Sequence, residues 1–197
     1  MLTMNSINNN VINWITGKKY SKLKKNKDNN DIEYNEVIEN FKPESRTQWT
    51  SIYSEELVRF LLKKLDYNVR DKKPKINVGK KIFELDIETD KELWEVKSRC
   101  WTINGTAGEK ILGTPLKYSE IPRITNKQIN IVVVAYQEYE ADNNFCLFSP
   151  KLENRPDQKK IIECVNSLNI KYMRCSDLLY RYLYKKVVEQ INALIKD

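Results

Sequence analysis

A chain of 197 residues with 41% hydrophobic side chains and five glycines can bury a core as one compact domain with an appended arm. It contains no histidine, which excludes Ser-His-Asp and Cys-His hydrolases, histidine-ligated zinc enzymes and nucleases with a histidine base. The net charge of +7 fits a polyanionic partner, although a chain rich in Lys, Asn and Ile also carries the mark of A/T-rich codons.

No apolar run approaches the roughly 20 residues of a membrane span. The start, MLTMNSINNNVINWIT, lacks the basic end, apolar core and cleavage site of a secretory signal. Cysteines at 100, 146, 164 and 175 form no CxxC pair and read as free thiols. These features predict a cytoplasmic protein, or a nuclear one in a eukaryotic or virus-infected host cell.

Residues 1–45 are Asn-rich and crowd Lys18, Lys19, Lys22, Lys24, Lys25 and Lys27 together. They read as a basic N-terminal arm, compatible with a DNA grip, a nuclear signal or a solvated terminus. Within it, Ile32, Val37, Ile38 and Phe41 make a modest apolar stripe. Residues 46–197 make up the expected main domain. Val58, Leu61, Leu62 and Leu65 predict a helix of about four turns, ended at Asp66-Tyr67-Asn68. Extended chain follows from Val69, then FELDIETDKELWEVKSR (83–99), whose period-two alternation predicts two strands and a tight turn. Gly105, Gly108, Gly113 and Pro115 predict a loop holding one helical turn. INIVVVAYQEY from Ile129 reads as a buried central strand, and FCLFSP as a short strand. Residues 157–168 predict a helix, IKYMRC a strand, and 176–196 a long closing helix. The order predicts an α/β fold with a mixed central β-sheet flanked by helices.

The alternating stretch carries the chemistry. Glu84, Asp86 and Glu88 share one strand face, opposite Phe83, Leu85 and Ile87; Leu93, Glu95, Lys97 and Arg99 share another, opposite Trp94, Val96 and Ser98. A two- or four-residue loop pairs Glu88 with Leu93 and sets Asp86 across from Glu95, with Cβ atoms about 5 Å apart. Carboxylates that close repel unless a positive charge sits between them. Mg²⁺ suits, being held by one or two carboxylates with water and substrate phosphate. Lys97 points to the same side, where an ammonium can orient water or stabilise charge on a phosphate. The competing interpretation is a wet, charged hairpin edge, and the acid-x-Lys pattern recurs at Asp71-Lys72-Lys73 and Asp157-Gln158-Lys159. Glu55 favours the site: it lies on the buried helix face, three residues before Val58 and seven before Leu62, where an acid needs a partner. The helix dipole would also favour a glutamate near that end.

The helix SEELVRFLLKKLDYNV, the strand FELDI and the strand LWEVK, in this order, resemble the PD-(D/E)XK nuclease superfamily over roughly residues 50–180. The resemblance implies a restriction-endonuclease-like core, with Asp86 and Glu95 as metal-binding acids and Lys97 as the catalytic lysine. It also implies Glu55 as the helix glutamate of many members, and the Val96 carbonyl turned to the metal. Leu85 stands where the motif has proline, and the spacer between the acids is short. The implied activity is that of a Mg²⁺-dependent type II restriction-like endonuclease on double-stranded DNA, with Mn²⁺ as a substitute ion. Cleavage of two-fold sites would favour a homodimer. In the Gly/Pro connector, Lys110, Lys117 and Arg123 are candidate phosphate contacts, and Tyr118 and Asn104 candidate base contacts; a plain connector is the competing interpretation. The alternatives are a homing, repair or Holliday-junction nuclease of the same superfamily, and a catalytically idle DNA-binding module.

Overall fold

The computed structural model describes residues 7, 9–16, 49–99, 110–148 and 155–196. A four-stranded mixed sheet runs in the order β3-β4-β5-β6, with β3 (Ile87–Glu88), β4 (Glu92–Arg99), β5 (Gln128–Ala135) and β6 (Ile170–Arg174). β3 is antiparallel to β4, while β4, β5 and β6 are parallel. A separate hairpin joins β1 (Lys75–Val78) to β2 (Lys81–Glu84) through Gly79, whose φ of 59° suits glycine. The helices are α1 (Asn9–Ile15), α2 (Trp49–Lys64), α3 (Lys110–Tyr118), α4 (Ile121–Thr125), α5 (Tyr136–Asn143), α6 (Pro156–Ser167) and α7 (Cys175–Lys196). The expected mixed α/β architecture is present.

Periodicity explains most of these elements. On α2, Leu57, Val58, Leu61 and Leu62 are buried, and Asp66, with φ 64°, stops the helix. Every residue of β5 from 129 to 135 is buried, as a parallel strand covered on both faces requires. The core lies on both sides of the sheet. Trp94, Val96, Val132 and Val134 pack with α1, α2 and α7, whereas Leu93, Ile129 and Ile131 pack with Tyr118, Ile121 and Val165. α1 contributes Val11, Trp14 and Ile15 to the first of these clusters, and Trp14 meets the Tyr53 ring edge-on at 5.5 Å. Residues 9–15 of the N-terminal segment are thus packed into the main body. The lysine run and the apolar stripe at 31–41 lie outside the described residues.

Three expectations are corrected. From Lys110 the connector is helical: Ile111, Thr114, Pro115 and Tyr118 form a buried i, i+3, i+4, i+7 stripe on α3 despite Gly113 and Pro115, while Gly105 and Gly108 lie outside the described residues. Pro115 cannot donate to the Ile111 carbonyl, and the Tyr172 hydroxyl donates to it instead at 2.8 Å. The apolar run stops being a strand at Ala135, whose φ of 58° turns the chain so that Tyr136 begins α5. Residues 145–148 form no strand; Cys146 has φ 52°, which is incompatible with a pleated ladder.

Glu138 ties α5 to the start of α7, accepting the Ser176 backbone N–H at 3.0 Å and the Ser176 hydroxyl. Burial pushes its carboxyl up to about 7, Ser176 pulls it partly back, and the Asp177 charge raises it. A carboxyl whose folded pKa is raised favours the fold in its protonated form. Its contribution is full below about pH 4.5 and lost as pH rises through about 7. Denaturant unfolding at pH 5 and pH 8 should show wild-type protein losing on the order of 1 to 3 kcal/mol relative to Glu138→Gln. Parallel pH profiles for the two proteins would contradict this.

Candidate active site

The β3–β4 ladder starts in the expected register, Glu88 opposite Leu93 and Ile87 opposite Trp94. At Asp86 it breaks into a bend, so FELDI is split between two sheets rather than forming one strand. Leu85 enters the cluster of Leu93, and Ile87 that of Trp94; the two therefore lie on opposite sheet faces, not on the shared face their alternation predicts.

The bend is held through both backbone groups and both carboxylate oxygens of Asp86. Its N–H donates to the Trp94 carbonyl at 3.1 Å, and its carbonyl accepts Arg59 Nη2 at 3.1 Å. Oδ2 accepts the Val96 N–H at 2.8 Å, and Oδ1 accepts Lys73 Nζ at 3.2 Å. Arg59 also donates to the Arg70 carbonyl at 2.5 Å, clamping the chain that leads into the hairpin against α2.

Glu55 stands one turn before Arg59 on the same side of α2. Its carboxylate pairs with Lys73 Nζ at 2.5 Å, so a single ammonium bridges Glu55 and Asp86. Burial pushes Glu55 above the usual carboxylate range, the Asp86 charge adds to this, and Lys73 opposes it. Lys73 is itself raised, because Glu55 and Asp86 outweigh a burial effect that would lower it. On β4, Glu95 is only 4% exposed and pairs with Lys97 Nζ. Burial pushes Glu95 up, the charge of Asp86 adds to this, and Lys97 opposes it.

Glu95 Oε2 is buried without a hydrogen-bond partner. The Tyr118 hydroxyl lies close enough to the Glu95 carboxylate to lower its pKa by hydrogen bonding; it also donates to the Glu84 carbonyl at 3.3 Å and accepts from Lys117 Nζ at 2.7 Å. Burial and the charges of Glu95 and Asp86 push the phenol pKa up, so Tyr118 stays protonated.

No family model, no curated protein and no solved structure matches the chain.

Among the described residues, no group of three or more Asp, Glu, Cys or His side chains could enclose a metal ion. The donor set is narrower: the charge of Asp86 acts on Glu95, and one buried carboxylate oxygen lacks a partner. Three carboxylates (Glu55, Asp86, Glu95) gather around two ammonium groups (Lys73, Lys97), with the Arg59 guanidinium on the Asp86 carbonyl. Hard oxygen donors in a two-acid set fit Mg²⁺, which keeps water and substrate oxygens for its remaining positions.

Glu55, Asp86, Glu95 and Lys97 are thus gathered around one bend, and Val96 joins them through its amide. Lys117 reaches the edge of the site, with Nζ 4.5 Å from the Tyr118 ring centroid. Lys110 and Arg123 are exposed, on α3 and α4. Tyr118 is buried, which corrects its assignment as a base-contacting residue; Asn104 lies outside the described residues. A cleft of about 620 Å³ separates the β1–β2 hairpin from α3 and α4, lined in part by Lys80, Lys81, Phe83 and Lys117.

Arg59 and Lys73 were not singled out from the sequence. The position of Arg59, four residues after Glu55, was the available signal for it. Lys73 belonged to an acid-x-Lys repeat that had no strand to recommend it.

Lys73→Ala should destabilise the protein by leaving Glu55 and Asp86 as neighbouring carboxylates, and adding Glu55→Gln should recover most of the loss. The coupling should be on the order of 1 kcal/mol, since the lysine side chain is 40% exposed and solvent screens it. Additive losses in this double-mutant cycle would show that the ammonium does not join the two acids.

Proposed function

We propose that the chain is a divalent-metal-dependent nuclease that hydrolyses phosphodiester bonds in double-stranded DNA, acting as a restriction-like endonuclease. Asp86 and Glu95 would hold Mg²⁺, with Mn²⁺ as a substitute. The observation that carries this proposal is the buried, unpartnered Oε2 of Glu95 beside a second acid whose charge it feels. A buried carboxylate oxygen left without a donor is costly, and a hard cation would offset that cost.

When bound, Mg²⁺ supplies Lewis-acid polarisation of a phosphate and lowers the pKa of water. The side chains do the positioning. Asp86 has its carboxylate fixed in advance by the Val96 amide and Lys73, so little reorganisation is needed on binding. Lys97 keeps its ammonium against Glu95, where it can stabilise charge building on the phosphate. Glu55, raised above the usual carboxylate range, orients the attacking water. Lys80, Lys81 and Lys117 in the adjoining cleft suit the phosphate backbone of a duplex, which would make binding steeply salt-dependent.

One observation favours a second reading. Lys73 already pairs with both Glu55 and Asp86, a contact that a catalytically idle DNA-binding module would also permit.

Incubation of the full chain with long duplex DNA and Mg²⁺ separates the two. Cleavage is expected, with discrete fragments supporting restriction, a smear a nonspecific nuclease, and cutting of branched DNA alone a junction nuclease. Glu95→Gln and Lys97→Met should each slow cleavage at least about 100-fold while DNA binding and circular dichroism stay unchanged. Undiminished cutting by these variants would remove the assigned site. Binding without cutting in either Mg²⁺ or Mn²⁺ would establish the module instead.

A further inference from the structure

α7 has two apolar faces. Leu178, Leu179 and Tyr182 are buried in the first core cluster. On the far side lie Tyr180, Tyr184, Val187, Ile191 and Leu194, all exposed, with Val188 and Ile195 flanking them. At about 100° per residue these seven fall within a sector of about 120°, diametrically opposite the buried face. Their spacing of four, three, four and three residues is the a/d alternation of a heptad, with Tyr184 and Ile191 at a and Tyr180, Val187 and Leu194 at d.

The exposure is large. Tyr184 is 72% exposed, Leu194 77% and Ile195 76%. Residues 187–195 are exposed throughout, so the end of α7 finds no support among the described residues. An unsupported helix end of about nine residues is marginal in water. The polar residues of this end, Glu189 and Asn192 among them, lie off the stripe, so two copies of the stripe meet without opposing charges.

We infer that this stripe is the interface of a homodimer, in which α7 of one copy packs against α7 of a second copy across a two-fold axis. The area supports that occupant. Seven side chains exposing on the order of 100 Å² each give about 700 Å² per copy, close to the about 800 Å² per partner of a standard stable interface. A two-fold interface must also be self-complementary, and an uncharged a/d stripe is. The pairing does not depend on the nuclease proposal: a chain that cuts nothing would still dimerise.

Light scattering coupled to gel filtration, run on the full chain at about 50 µM, tests it above the micromolar limit expected for such an area. Wild-type protein should elute at twice the chain mass. Ile191→Lys combined with Leu194→Lys should give the chain mass, a weakening of at least about 100-fold, while Asn192→Lys, off the stripe, should remain a dimer. If the double lysine variant loses its fold by circular dichroism, Tyr184→Ala with Leu194→Ala should separate the copies without added charge. Wild-type protein at the chain mass would overturn the inference, because something other than a second copy would then cover the stripe. A folded double variant still at twice the chain mass would overturn it equally.

Discussion

The bend at Asp86 depends on its N–H, its carbonyl and both carboxylate oxygens being held at once, by Trp94, Arg59, Val96 and Lys73. This over-determination has consequences throughout the fold. It ends the β1–β2 hairpin, starts β3 in another sheet, and sends Leu85 and Ile87 to opposite sides of the core. It also locks α2 to the hairpin, because Arg59 and Glu55 reach the bend from the same helical side. An acid whose position is set by so many partners is suited to hold a ligand without rearranging.

Charge organises the rest of the site. Glu55 and Glu95 are both pushed up by burial and by Asp86, and each is relieved by its own lysine. Pairing of this kind is weak support for stability, since desolvation cancels much of the attraction. Its value lies in arrangement: Lys73 pairs with Glu55 and Asp86, Lys97 pairs with Glu95, and Glu95 Oε2 is left unpartnered in the protein interior. Groups that cost stability and persist are the ones from which function is inferred.

Periodicity made α2, β4, β6, α6 and α7 legible in the sequence, and the even turn of the hairpin brought Glu88 opposite Leu93. The rest was hidden for identifiable reasons. Gly113 and Pro115 look like helix breakers, and only the distant Tyr172 hydroxyl, bonded to Ile111, shows how α3 tolerates a proline. The apolar run from Ile129 carries no end signal, because the turn at Ala135 is a backbone event without a glycine. Asp86 looked like one more step of an alternation, since nothing local announces that Arg59 and Lys73 will pull the chain out of register. Of the site itself, Glu55, Asp86, Glu95 and Lys97 were readable from pattern. The bridging role of Lys73 was not, because it arises only when the hairpin and α2 meet.

Calorimetric titration of Mn²⁺ into the full chain without DNA tests the central claim most directly, because it asks whether the acid pair takes a cation before any substrate is present. The account predicts one ion per chain, with binding abolished in Glu95→Gln while the fold is retained. Absence of binding in the wild-type protein, or unchanged binding in Glu95→Gln, would contradict it.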